Sequence, residues 1–365
     1  MKFVLSRDEL SNLIGHIQNV IPPKASVPIL SNFLIEAYGN ELTLTATDLT
    51  VGVRCRTEAK IIENGATTLP AKRFFQLIHE LTAPHIEFSC NENEISEIVA
   101  GSSHFNLKGM DKSKFPTLPD FTGAAHLSIK GEDLREAMFR TAFAVSRDDH
   151  RYILTGVLMH IEKDSITFIG TDGKRLAKIV LAIESDESLN GRYVLPIKAV
   201  DEMLKISSSE NVTIYFEDNK IAIKTNKIII VSKLLSGEYP DVNRVIPQNN
   251  DISVTLHREE LISLLKQILL FTPDADHSVR FTLSNGDLKI TANNATVGDA
   301  KVNMPVNYTG NLLQIAFNPG FFLDILRHSK DETVDITLTD SYNPGIISDT
   351  SDAICVIMPM RLNEE

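Results

Sequence analysis

A pattern that returns three times along 365 residues limits what this chain can fold into more than any other feature. KFVLSRDELSNLIGHIQNVI from Lys2, HLSIKGEDLREAMFRTAFAV from His126 and DISVTLHREELISLLKQILL from Asp251 share a short alternating strand, an acidic pair and apolar residues at helical spacing. Each reads as a strand running into a helix, with Asp or Glu in the first turn, where the helix dipole favours negative charge. Downstream, ELTLTATDLTVGVRC, SITFIGTDGKRLAKIV and DLKITANNATVGDAKVNM are alternating strands broken at Asp48, Asp172 and Asn294, residues whose side chains cap tight turns. TTLPAKRFFQLIHEL, YVLPIKAVDEMLKIS and QIAFNPGFFLDILRHS then give a strand, a proline and an amphipathic helix, proline being suited to a helix's first turn. Those prolines, Pro70, Pro196 and Pro319, stand 126 and 123 residues apart. The reading is an α+β fold of three tandem domains, 1–122, 126–247 and 251–365, with helices on one face of antiparallel sheets. The order strand, helix, strands occurs twice in each copy, which implies an internal pseudo-twofold.

With 43% hydrophobic residues the chain can bury several cores. Its opening MKFVLSRDEL has only a short apolar run, and no stretch approaches about 20 uncharged apolar residues, so a cytoplasmic protein without export signal or membrane span is expected. Cys55, Cys90 and Cys355 lie far apart with no CxxC pair, which indicates neither a disulfide framework nor a metal site but three buried thiols. GTDGKR is not a phosphate loop: that pattern needs glycine six residues before Lys174 and Ser or Thr after it, where the chain has Phe168 and Arg175. HExxH, GxSxG and GxGxxG are absent as well, so no catalytic residue, cofactor or metal is assigned. A metal-dependent enzyme would have to use scattered carboxylates, and a specific divalent site would be its mark.

Net charge of −12 argues against a conventional nucleic-acid binder, whose affinity comes from Lys and Arg on phosphates. Local asymmetry changes the picture. Six helical stretches, 7–24, 71–81, 132–147, 197–205, 257–267 and 318–330, hold 13 basic against 11 acidic residues, and the acids crowd the first turns. The remainder is strongly acidic. The protein is thus expected to be acidic outside and comparatively basic on its helices, with Arg140 and Arg147 on one helix face.

MKF at the start, PIL at 28–30 followed by Asn32, TATD at 45–48, ATTLPAKRFF at 66–75, GTDGKRLA at 170–177, YPDVNRVIP at 239–247, KITANN at 289–294 and the ending VIMPMRL occur in an order that resembles the bacterial DNA polymerase III β-subunit family of sliding clamps. The likeness covers essentially the whole chain. It implies three tandem copies of a DNA-clamp domain, closed as a head-to-tail homodimer into a six-domain ring that encircles double-stranded DNA without sequence preference. Size agrees with that stoichiometry. A 120-residue domain is very roughly 35 Å across, so three leave a gap of about 5 Å and six a gap of about 35 Å, wide enough for a duplex. Such a ring tethers the replicative polymerase subunit and confers processivity, and because this chain has no nucleotide motif, an ATP-dependent clamp loader would open it. A scaffold that never meets DNA would share the repeats, and retention on circular DNA separates the two.

The resemblance also implies sites. Facing the duplex it puts Lys24, Arg73, Arg135, Arg140, Arg147, Arg151, Tyr152 and Lys198; at the dimer closure Lys72, Phe105, Ile268, Leu269 and Leu270. A cleft for partner motifs carrying a glutamine and an apolar pair is implied from Leu154, Thr171, Gly173, Lys174, Arg175, Leu176, Pro240, Arg244, Val245, Val356, Ile357, Met358, Pro359, Met360, Arg361 and Leu362. Flexible, polarizable methionines suit a surface that adapts to several ligands, Pro359 removes a backbone donor, and Arg175 or Arg361 can orient a polar anchor.

Overall fold

The computed structural model describes residues 1–148, 150–207, 209–248, 251–272, 277–294 and 296–361. Among them six α-helices form, two per repeat: α1 Arg7–Ile17, α2 Ala71–Glu80, α3 Gly131–Ala142, α4 Ile197–Met203, α5 Arg258–Leu269 and α6 Pro319–His328. Every repeat runs strand, helix, three strands, then the same again, and the first adds a short strand at Lys60–Glu63. The starts follow local chemistry. Ser6 accepts the Glu9 N–H at 3.2 Å and donates to its carboxylate at 2.8 Å, closing the first turn of α1, while Asn318 accepts the Gly320 N–H at 2.8 Å ahead of Pro319 in α6. Pro70 and Pro196 instead close the preceding strands, one residue before α2 and α4. Buried positions in α1 are Leu10, Leu13, Ile14 and Ile17, the spacing of one helical face.

The helices are shorter than the sequence pattern suggests. α1 stops at Ile17 rather than Lys24, ahead of Pro22 and Pro23, which push the preceding residue out of the helical region. α3 stops at Ala142 because the N–H groups of Ala144 and Val145 turn back to carbonyls three residues earlier. Arg147 is therefore off the helix and shares no face with Arg140. Over the helices as they fold, nine Lys and Arg stand against eleven Asp and Glu. The expected positive balance on the helices is thus overturned: Lys24, Arg147, Lys205 and Lys330, which tipped it, lie in the segments after the helix ends.

Contacts divide the chain into two compact units, Met1–Arg135 with Lys198–Leu234, and Glu136–Ile197 with Leu235–Glu365. The middle repeat is shared between them because each unit has an eight-stranded antiparallel sheet that runs across a repeat boundary. In the first unit Val51–Glu58 pairs with Ile228–Lys233, and a five-stranded sheet is built around Lys2–Ser6 and His85–Cys90. In the second, Arg175–Ala182 pairs with Ile354–Ile357, and a four-stranded sheet contains Val279–Ser284 and Leu313–Phe317. Aromatic pairs mark the cores: Phe3 stacks on Phe88 at 4.9 Å, and Phe322 sits 4.9 Å from Phe281 and 5.1 Å from Phe317.

The Asx turns read from sequence are present. Asp48, Asp172 and Asn294 each accept N–H groups two and three residues ahead. Cys55 and Cys355 are buried, their thiols pushed up to about 12 by burial, whereas Cys90 is half-exposed rather than buried.

Candidate functional site

One end of the second unit's long sheet gathers three segments. The first is the turn 171–175, where the Thr171 hydroxyl donates to the Arg175 carbonyl at 2.6 Å and accepts the Gly173 N–H at 3.1 Å. Gly173 has φ +83°, a left-handed conformation that glycine adopts without strain, and a Cβ there would fall 3.0 Å from the Arg151 guanidinium. The second is the connecting segment 235–246. The third is the terminal segment, pinned by the Met358 N–H to the Lys174 carbonyl at 2.9 Å and by the Met360 N–H to the Ala316 carbonyl at 2.8 Å.

Between them lies an apolar floor. Leu154, Leu158, Ile169, Leu176, Val194, Leu235, Tyr239, Val242 and Val356 pack as one cluster, and burial raises the Tyr239 phenol pKa while its hydroxyl donates to the Ile169 carbonyl at 3.2 Å. Above the floor the residues reach water: Met358 is 37% and Val245 44% exposed. Pro240, Lys174, Arg244 and Arg361 are also exposed, with Pro359 and Met360 half-buried. Leu362 lies outside the described residues. Ile357 leaves the set, because alternation along Ile354–Ile357 sends Val356 to this floor and Ile357, fully buried, to the other core with Phe317 and Phe322.

Arg175 is also placed differently. Its guanidinium meets Asp324 at 2.6 Å, Asp172 at 3.2 Å and the Phe143 carbonyl at 2.9 Å, and stacks 4.6 Å from the Phe321 ring centroid. Those partners engage all three of its nitrogens, so it braces the turn. Tyr239, Val242, Phe321 and Asp324 escaped the sequence reading. Tyr239 and Val242 carried a signal, two apolar residues three apart in a polar connector; Phe321 and Asp324 come from a distant helix and carried none.

Of the cations and Tyr152 implied for the duplex, Lys24, Arg73, Arg135, Arg147, Arg151 and Tyr152 are exposed. Two others are paired inside the chain. Arg140 is only 5% exposed and pairs with Asp349 at 2.6 Å and Glu136 at 2.8 Å. Lys198 donates to Asp48 and to the Val20 carbonyl, which consumes its charge inside the first unit. Of the closure residues, Ile268 is fully buried in the chain's own core, being on the inner face of α5, while Leu270, just past the helix, is 75% exposed. Lys72 is exposed and Phe105 and Leu269 are half-buried. No group of three or more His, Cys, Asp or Glu among the described residues is arranged to hold a metal, and no helix among them is long and apolar enough to cross a membrane.

Three family profiles match consecutive parts of the chain: the N-terminal domain of the DNA polymerase III β subunit at residues 1–119, its central domain at 128–241 and its C-terminal domain at 243–361. The β sliding clamp of Chlamydia pneumoniae is 52% identical over 366 residues, covering all of both chains, and that of Haemophilus influenzae is 30% identical over 99% of this chain and all of its own. The chain belongs to the DNA polymerase III β-subunit family. Among solved structures, a sliding clamp from Bartonella birtlesii bound to griselimycin superposes with a TM-score of 0.93 at 30% identity, over 99% of this chain and 100% of that one. One from Bacillus subtilis, 23% identical over the full length of both chains, shows the same fold with a TM-score of 0.91.

As a β subunit the chain is a sliding clamp of DNA replication, a processivity subunit and not a catalytic one, with DNA and the polymerase as partners. Its buried ion cluster then reads as structure. Burial opposes charge on Glu136 and Asp349, yet hydrogen bonds from Arg140 and Lys330 to the first, and from Ser351 and Arg140 to the second, hold both carboxyls below the usual range. Depressed carboxyl pKa values contribute stability that is present above the unfolded-state pKa and lost as pH falls through the folded-state value. Arg140→Met is expected to destabilise the β subunit by about 3–5 kcal/mol at neutral pH, because it leaves Asp349 buried without its cation. In urea titrations that deficit should shrink below about pH 4 as the carboxyls protonate; a deficit independent of pH would show that the pairing contributes nothing.

Proposed function

We propose that two chains close head to tail into a six-domain ring around duplex DNA, each contributing three clamp domains at 1–122, 126–247 and 251–365. Three repeats in one chain support this reading, since three domains of this size leave no hole for a duplex and six do. Leu269, Leu270 and Phe105, with Lys72, supply the closure, a heterologous contact that closes because the symmetry does. Lys24, Arg73, Arg135, Arg147, Arg151 and Tyr152 meet the backbone weakly, as sliding requires. An ATP-dependent clamp loader opens the ring, and the protein works in the cytoplasm. Light scattering at micromolar concentration should give twice the 40.5 kDa of the chain. A stable monomer there would overturn the ring.

The cleft at the end of the second unit's sheet is the docking site for the polymerase and other proteins that carry a short motif of a glutamine and an apolar pair. The observation that carries this is the exposure of two apolar side chains, Met358 and Val245, on segments that meet at the buried cluster of Leu154, Leu176 and Val356. Apolar side chains of the motif fill the floor, the methionines adjust to them, and Lys174 and Arg361 meet the polar part.

A further inference from the structure

Each unit ties its Asx turn to the second helix of the following repeat. In the first unit the Asp48 carboxylate, which caps the turn, also accepts from Lys198 Nζ, and Lys198 stands two residues after Pro196. In the second, α6 has Phe321 at the matching place, two residues after Pro319, and the tie runs through an arginine instead. Arg175 Nε donates to Asp172 Oδ2 at 3.2 Å and Nη1 to Asp324 Oδ2 on α6 at 2.6 Å, while Nη2 donates to the Phe143 carbonyl and the guanidinium lies 4.6 Å from the Phe321 ring centroid. Asp172 Oδ1 holds the Lys174 and Arg175 N–H groups in turn, and the Lys174 carbonyl accepts the Met358 N–H. One chain of contacts therefore joins a helix of the third repeat to two of the three segments that meet at the cleft.

The guanidinium and its helix partners lie on the far side of the sheet from the apolar floor. Arg175 stands opposite Ile357 across the strand pair, and Leu176 opposite Val356. Leu176 and Val356 belong to the floor cluster, whereas Ile357 lies in the other core, against which Phe143 and Phe321 pack. Alternation thus sends the Arg175 side chain, 10% exposed, to the helix side of the sheet, where it meets Asp324. Arg327 Nη1 approaches the other Asp324 oxygen, Oδ1, at 3.6 Å and leaves Oδ2 to Arg175. We propose that Asp324 is a positioning residue for the peptide cleft: acting through Arg175, it holds the turn 171–175 and the terminal segment hung from it in the geometry that a ligand meets. Fixing both segments beforehand spares the ligand the entropy of ordering them. This rests on the reading of the cleft as the peptide site.

Isothermal titration of the full-length protein with a synthetic peptide carrying one glutamine and a Leu–Phe pair tests it, with circular dichroism and urea midpoints read on the same samples. Asp324→Asn is expected to bind the peptide about tenfold more weakly while folded, and Asp324→Glu, which keeps the charge, to recover most of that loss. Arg175→Lys should lose about as much as Asp324→Asn, because one ammonium cannot replace the fork that spans Asp172, Asp324 and the Phe143 carbonyl. The double variant should bind no more weakly than either single one, since both remove the same link. Native affinity in a folded Asp324→Asn protein overturns the proposal: a pair that only stabilises the fold lowers the urea midpoint and leaves affinity alone. Losses that multiply in the double variant overturn it as well. Where Asp324→Asn does not fold, native affinity in Arg175→Lys overturns it. No binding to the unaltered protein would overturn the cleft itself, and with it the role of Asp324.

Discussion

A chain ending at Ile357 is expected to lose all measurable affinity for peptides with a glutamine and an apolar pair, while remaining folded and dimeric. The boundary follows from the alternation of the last strand: among the described residues Ile357 is the last that is fully buried, and Met358, Pro359 and Met360 beyond it are exposed or half-buried, where the proposed cleft needs a wall. Among the described residues, removing Met358 onward deletes two backbone hydrogen bonds, Met358 to Lys174 and Met360 to Ala316, at a net cost of about 1 kcal/mol each. That is small against the stability of a unit whose apolar core stays intact. Binding, by contrast, loses a whole wall, and an apolar ligand left half in water forfeits about 25 cal/mol for each Å² that stays exposed. Fluorescence anisotropy with a labelled peptide reads the first effect and light scattering the second. Unchanged peptide affinity in the truncated protein would remove the terminal segment from the site.

Protein loaded on nicked circular DNA is expected to survive salt that strips ordinary DNA-binding proteins, and to be lost when the circle is cut. The charge inventory makes this a sharp test. A net charge of −12, with nine basic against eleven acidic residues on the folded helices and Arg140 and Lys198 both consumed by internal partners, leaves few phosphate contacts to hold the chain in place. Affinity carried by such contacts falls steeply between about 50 and 200 mM salt. Retention above that range therefore has to come from topology, because a closed ring leaves a circle only when one of them opens. Equal retention on linear and circular DNA would mean that the chain grips the duplex instead of surrounding it.

The repeats, the turn at Asp172 and the last strand were legible because each depends on neighbours close in sequence. Asp172 caps N–H groups two and three residues ahead, Pro22 and Pro23 bar α1 from continuing, and Ser6 with Glu9 starts it. Helix ends were less legible: α3 stops at Ala142 with no proline or glycine to announce it, and that one misplacement put Arg147 on a face it does not share. Of the cleft, the segments that build it could be named from the sequence, but not which side chains point into it.

Arg140, Arg175 and Lys198 show where local reading ends. An arginine in an amphipathic helix or a lysine after a proline looks like free surface charge, yet each is consumed by a carboxylate 149 to 209 positions away in the chain, Asp324 for Arg175, Asp48 for Lys198 and Asp349 for Arg140. The sequence by itself determined the threefold α+β repeat, the family, and the strand-to-turn chemistry, since these rest on periodicity and on hydrogen bonds spanning a few residues. Only the tertiary structure decided which charges are consumed by distant carboxylates, that Ile357 and Ile268 turn inward, and that Phe121 is buried while Val245 stays 44% exposed. Those outcomes depend on what the folded chain brings against each side chain, and burial and ion pairing are set by that company rather than by the residue's own type.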